Sequence, residues 1–293
     1  MNSEVSNIGK MFPEKIGKSA KKPKPQKEPL ASPIGVFDSG VGGLTVLSQI
    51  MLQLPHEDII YLADTARVPY GSKSPDEIIE INIKILNYFE KQGVKMVVMA
   101  CGTSSSIAYP VLKDNYRFPI VSLINPGARA ALSATRNKKI GLIATLGTIQ
   151  SGAYESEIKK INPDVEVFSE PCPLFVPLIE GGFVEADETR KVAKEYLKPL
   201  LKAGIDTLIL GCTHYPHLIK VLREITGSKI AFVDPAESAV AEAKDILAQH
   251  RIANGLKHKA EYKYLVTGPV GQFEEIGGKL FGRLITNARQ VEI

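Results

Sequence analysis

Two short apolar segments of the chain each end in a cysteine with a threonine close behind it. Cys101 is followed by Gly102 and Thr103, and Cys212 is followed by Thr213. A thiolate is a competent base and a thiol a competent acid, so two such groups on opposite sides of one carbon could remove a proton from one face and return one to the other. A buried cysteine is more often an inert small hydrophobe, but the shared context of these two favours a function.

Each of these cysteines has a titratable residue that is placed to assist it. Asp38 ends the first apolar segment and is placed to assist Cys101, while His214 lies two residues beyond Cys212. Because a free thiol has a pKa of about 8.5, one of the two must be lowered toward neutrality for efficient proton transfer. The simpler interpretations are that Asp38 caps a turn or helix and that His214 makes a supporting hydrogen bond.

Metal and disulfide chemistry fit the cysteines less well. Cys212, His214 and His217 have no fourth ligand nearby and no standard zinc spacing, so no metal is expected. Cys172 lies between two prolines and is interpreted as structural. Three cysteines without a CxxC pair make no disulfide framework and fit a reducing compartment, so a cytoplasmic protein is expected.

The segments that position these residues alternate short apolar runs with longer mixed stretches, as in an α/β protein with parallel strands. Four predicted strands in one half match four in the other, and matched strands start 106 to 111 residues apart. We predict two similar parallel-sheet α/β domains related by pseudo-symmetry, with the active site in the cleft between them, at the carboxyl ends of the strands. The predicted strands are 34–37, 58–62, 95–100, 119–124, 140–144, 164–168, 206–211 and 230–233.

The helix boundaries repeat as well. Ser74 and Glu77 form a capping box, and the helix that they open is expected to stop near Gly93. Asp187 opens the corresponding helix of the second half. A last segment, 236–293, contains a predicted helix and a predicted strand but lies outside the repeat, so it must pack on one of the halves.

The composition is that of a globular protein of 293 residues, 44% hydrophobic and 23% charged, with a net charge of +4. The longest apolar runs are about six residues, so no membrane association is expected. Residues 1–33 hold seven Lys and three Glu and carry the whole net charge. This Lys- and Pro-rich tail is predicted to be disordered, as a solubilising extension rather than a docking arm. The neutral remainder gives no reason to expect a nucleic-acid partner.

A glycine-rich turn, 38–43, follows the first strand, and its amides could hold an anion. Thr45 stands where a dinucleotide-binding motif requires glycine, and no Gly-Lys-Ser/Thr follows, so a carboxylate is as good a ligand as a phosphate. In the second half, Thr145 and Thr148 occupy the equivalent turn and offer hydroxyls.

Four separated motifs resemble those of the glutamate racemase family, in the family's order. They are Ile34–Val46, Asp64–Gly71, Gly147–Tyr154 and Gly211–Pro216. The resemblance implies a cofactor-independent enzyme that interconverts L- and D-glutamate, supplies D-glutamate for peptidoglycan and forms a homodimer. It also implies that the C-terminal segment completes the first domain, which gives domains of 34–124 plus 236–293 and of 125–235.

Carried over residue by residue, the resemblance implies a set of site residues. Cys101 and Cys212 are the catalytic acid/bases, and Asp38 and His214 are the catalytic residues that support them. Glu180 is expected near His214. The implied pocket for an acidic amino acid consists of Ser39, Pro69, Tyr70, Gly71, Gly102, Thr103, Thr148 and Thr213.

Gly102 departs from the family, which usually has asparagine there to help grip the amino acid. Losing a hydrogen bond to a charged group costs about 1.5–3 kcal/mol, or roughly ten- to a hundredfold in binding. Ser104 or Ser105 could compensate; otherwise the enzyme is slower or prefers another acid. The competing hypotheses are a racemase for aspartate or another acidic amino acid, a non-catalytic ligand-binding paralogue and a metallohydrolase.

Overall fold

The computed structural model describes residues 32–255 and 257–293. The predicted basic tail, residues 1–33, lies outside the described residues apart from its last two. Within the described ranges, no helix is both long and apolar enough to cross a membrane.

The strands form two sheets in which every neighbouring pair is parallel. They are β1 (Ile34–Asp38), β2 (Ile59–Ala63), β3 (Met96–Met99), β4 (Ile120–Val121), β5 (Lys139–Ala144), β6 (Glu166–Pro171), β7 (Thr207–Leu210), β8 (Ala231–Val233), β9 (Tyr262–Val266) and β10 (Arg289–Gln290). The first sheet has the order β10-β9-β2-β1-β3-β4 and the second the order β6-β5-β7-β8. Since β2-β1-β3-β4 and β6-β5-β7-β8 are the same arrangement of matched strands, the predicted repeat is confirmed in the sheet order.

Helices cover the faces of these sheets. They are α1 (Leu44–Gln53), α2 (Pro75–Gln92), α3 (Gly102–Ile107), α4 (Tyr109–Leu112), α5 (Ile124–Ala134), α6 (Leu146–Gln150), α7 (Ala153–Ile161), α8 (Phe175–Glu180), α9 (Asp187–Ala203), α10 (Ile219–Thr226), α11 (Pro235–His250) and α12 (Val270–Phe281). The capping box at Ser74 is formed as predicted, and α2 ends at Gly93 in the left-handed conformation. The α/β fold class is therefore confirmed.

The central strands β1 and β3 of the first sheet and β5 and β7 of the second are mainly apolar because both faces of each sheet are covered there. In β1, Val36 packs with residues of α1 and α11, and its neighbour Phe37 packs with residues of α2 on the other face. All four residues of β3 and all four of β7 are buried. The residues that follow such a strand lie at its carboxyl end, outside the packed layer, and both cysteines are there.

The strand register brings the candidate residues to one edge of each sheet. Phe37 of β1 is level with Met99 of β3, so Asp38 and Cys101 follow at the same edge. In the second sheet Ile143 of β5 is level with Leu210 of β7, which places the turn after β5 beside Cys212. Both cysteines thus follow the carboxyl ends of equivalent strands.

The C-terminal segment joins the first sheet. β9 pairs with β2 over five residues, and α11 packs against α1 and α5. A buried ion pair also holds the segment to the first half. Lys95 Nζ lies 2.6 Å from Glu57 Oε2, and the backbone N–H of Asn254 donates to Glu57 Oε1 at 2.8 Å. Strand β9 thus joins the sheet of the first half, and the domain bounds stay a prediction.

Candidate active site

The turn after β1 places Asp38 among backbone amides. Asp38 Oδ2 accepts a hydrogen bond from Gly40 N at 3.0 Å, and the amides of Ser39 and Gly43 also bond the carboxyl group. The Asp38 side chain is buried, and this burial raises its pKa, while nearby His214 and the amides act in the opposite direction.

Two glycines of this turn are needed for close approach. A Cβ on Gly42 would overlap the imidazole of His214 and would lie 2.5 Å from Thr213 Oγ1. A Cβ on Gly43 would lie 2.5 Å from the Cβ of Asp38. Gly42 therefore lets the turn after β1 touch the segment after β7, in the other half of the molecule, and Gly43 lets the turn fold closely over Asp38.

Cys101 follows β3 and occupies the position before the first residue of α3. It is 5% exposed, and its Sγ lies 4.0 Å from Ser39 Oγ. Burial, and after it the charge of Asp38, raise the pKa of this thiol to about 12. The backbone N–H and the hydroxyl of Ser104 act in the opposite direction and lower the pKa.

Cys212 has a different set of neighbours. Its Sγ lies 3.8 Å from Nδ1 of His214, and the other ring nitrogen, Nε2, lies 2.8 Å from Oε1 of Glu180. Burial by itself would lower the pKa of His214, but the hydrogen bonds to Cys212 and Glu180 outweigh it and raise this pKa to about 10. The structure thus places Glu180 within hydrogen-bond distance of the His214 imidazole, near which the sequence analysis expected it.

The two thiols belong to one electrostatic site. The charge of Cys212 acts on Cys101, and the charges of Asp38 and His214 act on each other. The halves also touch directly here, since Thr45 Oγ1 donates to the carbonyl oxygen of Thr213 at 3.1 Å.

A group of threonine hydroxyls lies beside the thiols. Thr103 Oγ1 is 3.0 Å from Thr145 Oγ1, which is 3.0 Å from Thr148 Oγ1. Thr103 and Thr148 are among the predicted pocket residues, but Thr145 is not. The sequence marks the Thr145 hydroxyl by its position in the turn after β5, equivalent to that of Ser39 after β1, but the predicted pocket did not include it.

The predicted loop of Pro69, Tyr70 and Gly71 is held by Asp64. Tyr70 donates its hydroxyl to Asp64 Oδ2 at 2.6 Å, and Arg67 Nη1 lies 2.6 Å from Oδ1 of the same carboxylate. Burial and Asp64 raise the pKa of Tyr70, so its phenol stays protonated. Pro69 is exposed, whereas a Cβ on Gly71 would lie 2.8 Å from the Cβ of Thr145. Asp64 begins one of the motifs described above, but it was not among the predicted site residues.

Gly102 faces the second half instead of an open pocket. A Cβ there would overlap the carbonyl oxygen of Gly211, and it would lie 3.7 Å from Thr148 Oγ1. Of the two serines expected to compensate, Ser105 uses its hydroxyl to donate to Met99 O at 2.9 Å, away from any ligand. Ser104 is also fully buried.

The remaining candidates lie apart from this chemistry. Cys172 is fully buried, and its Sγ lies 3.5 Å from the carbonyl oxygen of Glu170. Burial raises the pKa of Cys172, which fits a structural thiol. Across residues 32–255 and 257–293, no group of three or more His, Cys, Asp or Glu side chains is arranged to hold a metal ion.

Comparison with known proteins assigns this fold and site to a class. Residues 42–243 match the family model described as Asp/Glu/Hydantoin racemase. The protein is therefore an amino-acid racemase, an isomerase.

Individual relatives narrow the class. A glutamate racemase from a Picosynechococcus species is 52% identical over 215 residues, which cover 73% of this chain and 76% of that protein. The crystal structure of a glutamate racemase isoform from Bacillus anthracis has a TM-score of 0.87 at 36% identity and covers 90% of this chain and 98% of that one. The Francisella tularensis glutamate racemase, solved in complex with D-glutamate, has a TM-score of 0.83 at 38% identity, with 89% and 98% covered. The chain belongs to the glutamate racemase family.

Proposed function

We propose that this protein interconverts L- and D-glutamate without a cofactor, with Cys101 and Cys212 as its two acid/base groups. The observation that carries the proposal is the pair of buried thiols, each at the carboxyl end of an equivalent strand and each within electrostatic reach of the other. The family membership and the D-glutamate complex of the Francisella enzyme support glutamate as the substrate.

The proposed reaction needs one proton acceptor and one proton donor. The thiolate of one cysteine removes the Cα proton of glutamate, and the electron pair left on Cα is delocalised into the adjacent carboxylate. The thiol of the other cysteine then gives its proton to the opposite face of Cα, which forms the other enantiomer. The first cysteine ends as a thiol and the second as a thiolate, so the two exchange roles for the reverse reaction.

The surroundings of the two cysteines support an unequal starting state. His214, with a pKa of about 10, is cationic at neutral pH, and it stabilises negative charge on the Cys212 Sγ at 3.8 Å. Cys101, with a pKa of about 12, holds its proton before substrate binds. In this proposal, Cys212 is the base of the substrate-free enzyme and Cys101 is its acid.

The substrate would be bound by hydroxyls and backbone around the thiols. We assign this role to the hydroxyls of Ser39, Thr103, Thr148 and Thr213. Pro69, Tyr70 and Gly71 would form the wall, and Gly102 would close it against the Gly211 carbonyl. Racemisation of aspartate is the second candidate, because the close approach of Gly102 to the Gly211 carbonyl narrows the space for a longer acid. A circular-dichroism assay of both acids decides, and faster turnover of aspartate would overturn the glutamate assignment.

The two-cysteine proposal predicts that alanine abolishes racemisation at two of the three cysteines and has little effect at the third. Cys101→Ala and Cys212→Ala should each lower glutamate racemisation at least about a thousandfold, since each removes an obligatory proton carrier. Cys172→Ala is the control and should leave kcat and KM close to those of the unmodified enzyme. Undiminished racemisation by either of the first two variants would refute the mechanism.

The cellular role that we propose is the supply of D-glutamate for peptidoglycan, in the cytoplasm and as a homodimer. Expression of the chain should restore growth of a bacterium that requires external D-glutamate, and the Cys212→Ala variant should not. Sedimentation equilibrium of the purified enzyme tests the dimer separately.

A further inference from the structure

A buried polar pair joins α2 to α3, the helix that begins directly after Cys101. Asn82 of α2 and Ser104 of α3 are both fully buried. Asn82 Nδ2 donates to Ser104 Oγ at 3.2 Å and to the carbonyl oxygen of Ile78 at 2.7 Å. The other buried residues of α2 are Ile78, Ile79, Ile81, Ile85, Leu86 and Phe89. A lone amide among aliphatic and aromatic side chains therefore needs a reason.

Asn82 leaves one polar atom of the described core without a hydrogen bond. Within the described residues its Oδ1 atom is buried and has no hydrogen-bond partner. An unpartnered buried acceptor costs free energy, so apolar packing alone does not explain an asparagine at this position. What the asparagine supplies, and a leucine would not, is the N–H donor that reaches Ser104.

The Ser104 hydroxyl differs from those of the two serines after it. Ser105 donates to Met99 O at 2.9 Å, and Ser106 donates to Thr103 O at 3.0 Å. Ser104 Oγ instead accepts a hydrogen from Asn82, which leaves its own hydrogen for another acceptor. Cys101 lies three residues earlier, at the N-cap of α3 and one turn from Ser104, and the Ser104 hydroxyl lowers the pKa of its thiol.

We infer that Asn82 and Ser104 form a donor pair that aims the Ser104 O–H at the Cys101 Sγ and stabilises its thiolate during turnover. The inference rests on the proposed function, in which Cys101 alternates between thiol and thiolate. Burial and Asp38 oppose this thiolate, so a donor that cannot be displaced by water has a larger effect here than at a surface. Ser104 is a positioning residue, since it acts through Cys101.

The test measures the thiolate of Cys101 directly. Full-length Ser104→Ala protein is alkylated with iodoacetamide at pH 9, and modification of each cysteine is followed by mass spectrometry. Alkylation of Cys101 should slow about tenfold, because loss of one hydrogen bond to a charged group leaves less thiolate, while Cys212 should react at an unchanged rate. Ser106→Ala removes the neighbouring hydroxyl from the same helix and should change neither rate. Asn82→Leu should slow Cys101 in the same direction.

A kinetic readout separates positioning from a general loss of structure. In Ser104→Ala the acidic limb of kcat should move to higher pH in the one reaction direction that uses Cys101 as base and stay in place in the other, while kcat/KM remains equal in both directions because the equilibrium constant between enantiomers is one. An unchanged Cys101 alkylation rate in both folded variants, or equal shifts in both directions, would overturn the inference. Failure of the proposed function itself would show instead as racemisation by Cys101→Ala, which the alkylation measurement does not depend on.

Discussion

At the scale of single residues, two thiols in equivalent positions have unlike surroundings. Cys101 is next to a buried carboxyl group, Asp38, whereas Cys212 is next to the imidazole of His214, whose pKa is raised by its hydrogen bonds to Cys212 and Glu180. Environments that separate the proton affinities of paired groups are how one site supplies an acid and a base at the same pH. The asymmetry is thus a property of the neighbours and not of the cysteines.

Glu180→Gln tests that asymmetry through pH. The raised pKa of His214 means that its positive charge is present at neutral pH and is lost only as the pH rises through about 10. Removing the carboxylate takes away part of what raises this pKa, so the alkaline limb of activity should move to lower pH by about one unit. The pH–rate profile and the NMR titration of His214 measure this.

Glu185→Gln is the matched control, because Glu185 is exposed and pairs with Lys220. Its profile should follow that of the unmodified enzyme. An alkaline limb that stays in place in Glu180→Gln would show that Glu180 does not hold the imidazolium.

The site residues that could be predicted from the sequence are those that lie in a motif or directly after a predicted strand. Cys101, Cys212, Asp38 and His214 were predicted in this way, and the structure brings them together. Asn82 was not, because its role depends on which element lies across from it. By sequence alone, Asn82 is the seventh residue after Pro75 in an ordinary amphipathic helix, and only the packing of α3 gives it a partner in Ser104.

At the scale of elements, short helices and glycine turns set how closely the halves approach. α3 begins at Gly102, directly after the Cys101 thiol, and meets the Gly211 carbonyl that precedes Cys212. The two cysteine-bearing turns therefore pack backbone against backbone.

Gly102→Ala should push these turns apart. The added methyl would overlap the Gly211 carbonyl, and since both groups are held by backbone, α3 must shift relative to β7. Because a shift of about 1 Å at reacting groups can cost about a hundredfold, kcat/KM should fall by at least tenfold. Steady-state kinetics and a crystal structure of the variant measure both parts.

Gly271→Ala in α12 is the control, since a Cβ there meets nothing within 4 Å. It should leave the kinetics unchanged and the melting temperature equal or slightly higher. Wild-type kinetics in Gly102→Ala would show that the contact with Gly211 does not set the geometry.

Strand and helix positions were largely predictable from sequence because apolar runs and caps are local signals. Ser74 and Gly93 bound α2 as the capping box and the glycine predicted. β10 was missed because its two residues, Arg289 and Gln290, are polar and exposed and are strand only through pairing with β9.

At the scale of the whole molecule, two sheets of matched strand order face each other with their carboxyl ends around one site. The sequence predicted the repeat from strand spacing, but it left open where the C-terminal segment packs. Pairing of β9 with β2 is a contact between residues some 200 positions apart, and no local pattern encodes it.

The charge of the molecule leads to a prediction about the tail. Residues 1–33 carry the whole net charge of +4, so the remainder is neutral and attracts its acidic substrate through local groups. Deletion of residues 2–32 should leave kcat and KM within about twofold and reduce solubility. Kinetics of the truncated enzyme at low and high salt measure this, and a large loss of activity would make the tail part of the enzyme.

The central claim is that two thiols act on opposite faces of one carbon, and its most direct test is racemisation of unlabelled glutamate in deuterated water, stopped early. A thiol that exchanges with solvent delivers deuterium, so the newly formed enantiomer should carry deuterium at Cα in nearly every molecule. The unreacted enantiomer should carry almost none, because the group that removes its proton is not the one that returns it. Product that retains the original hydrogen, or equal deuterium in both enantiomers from the start, would contradict the two-thiol account.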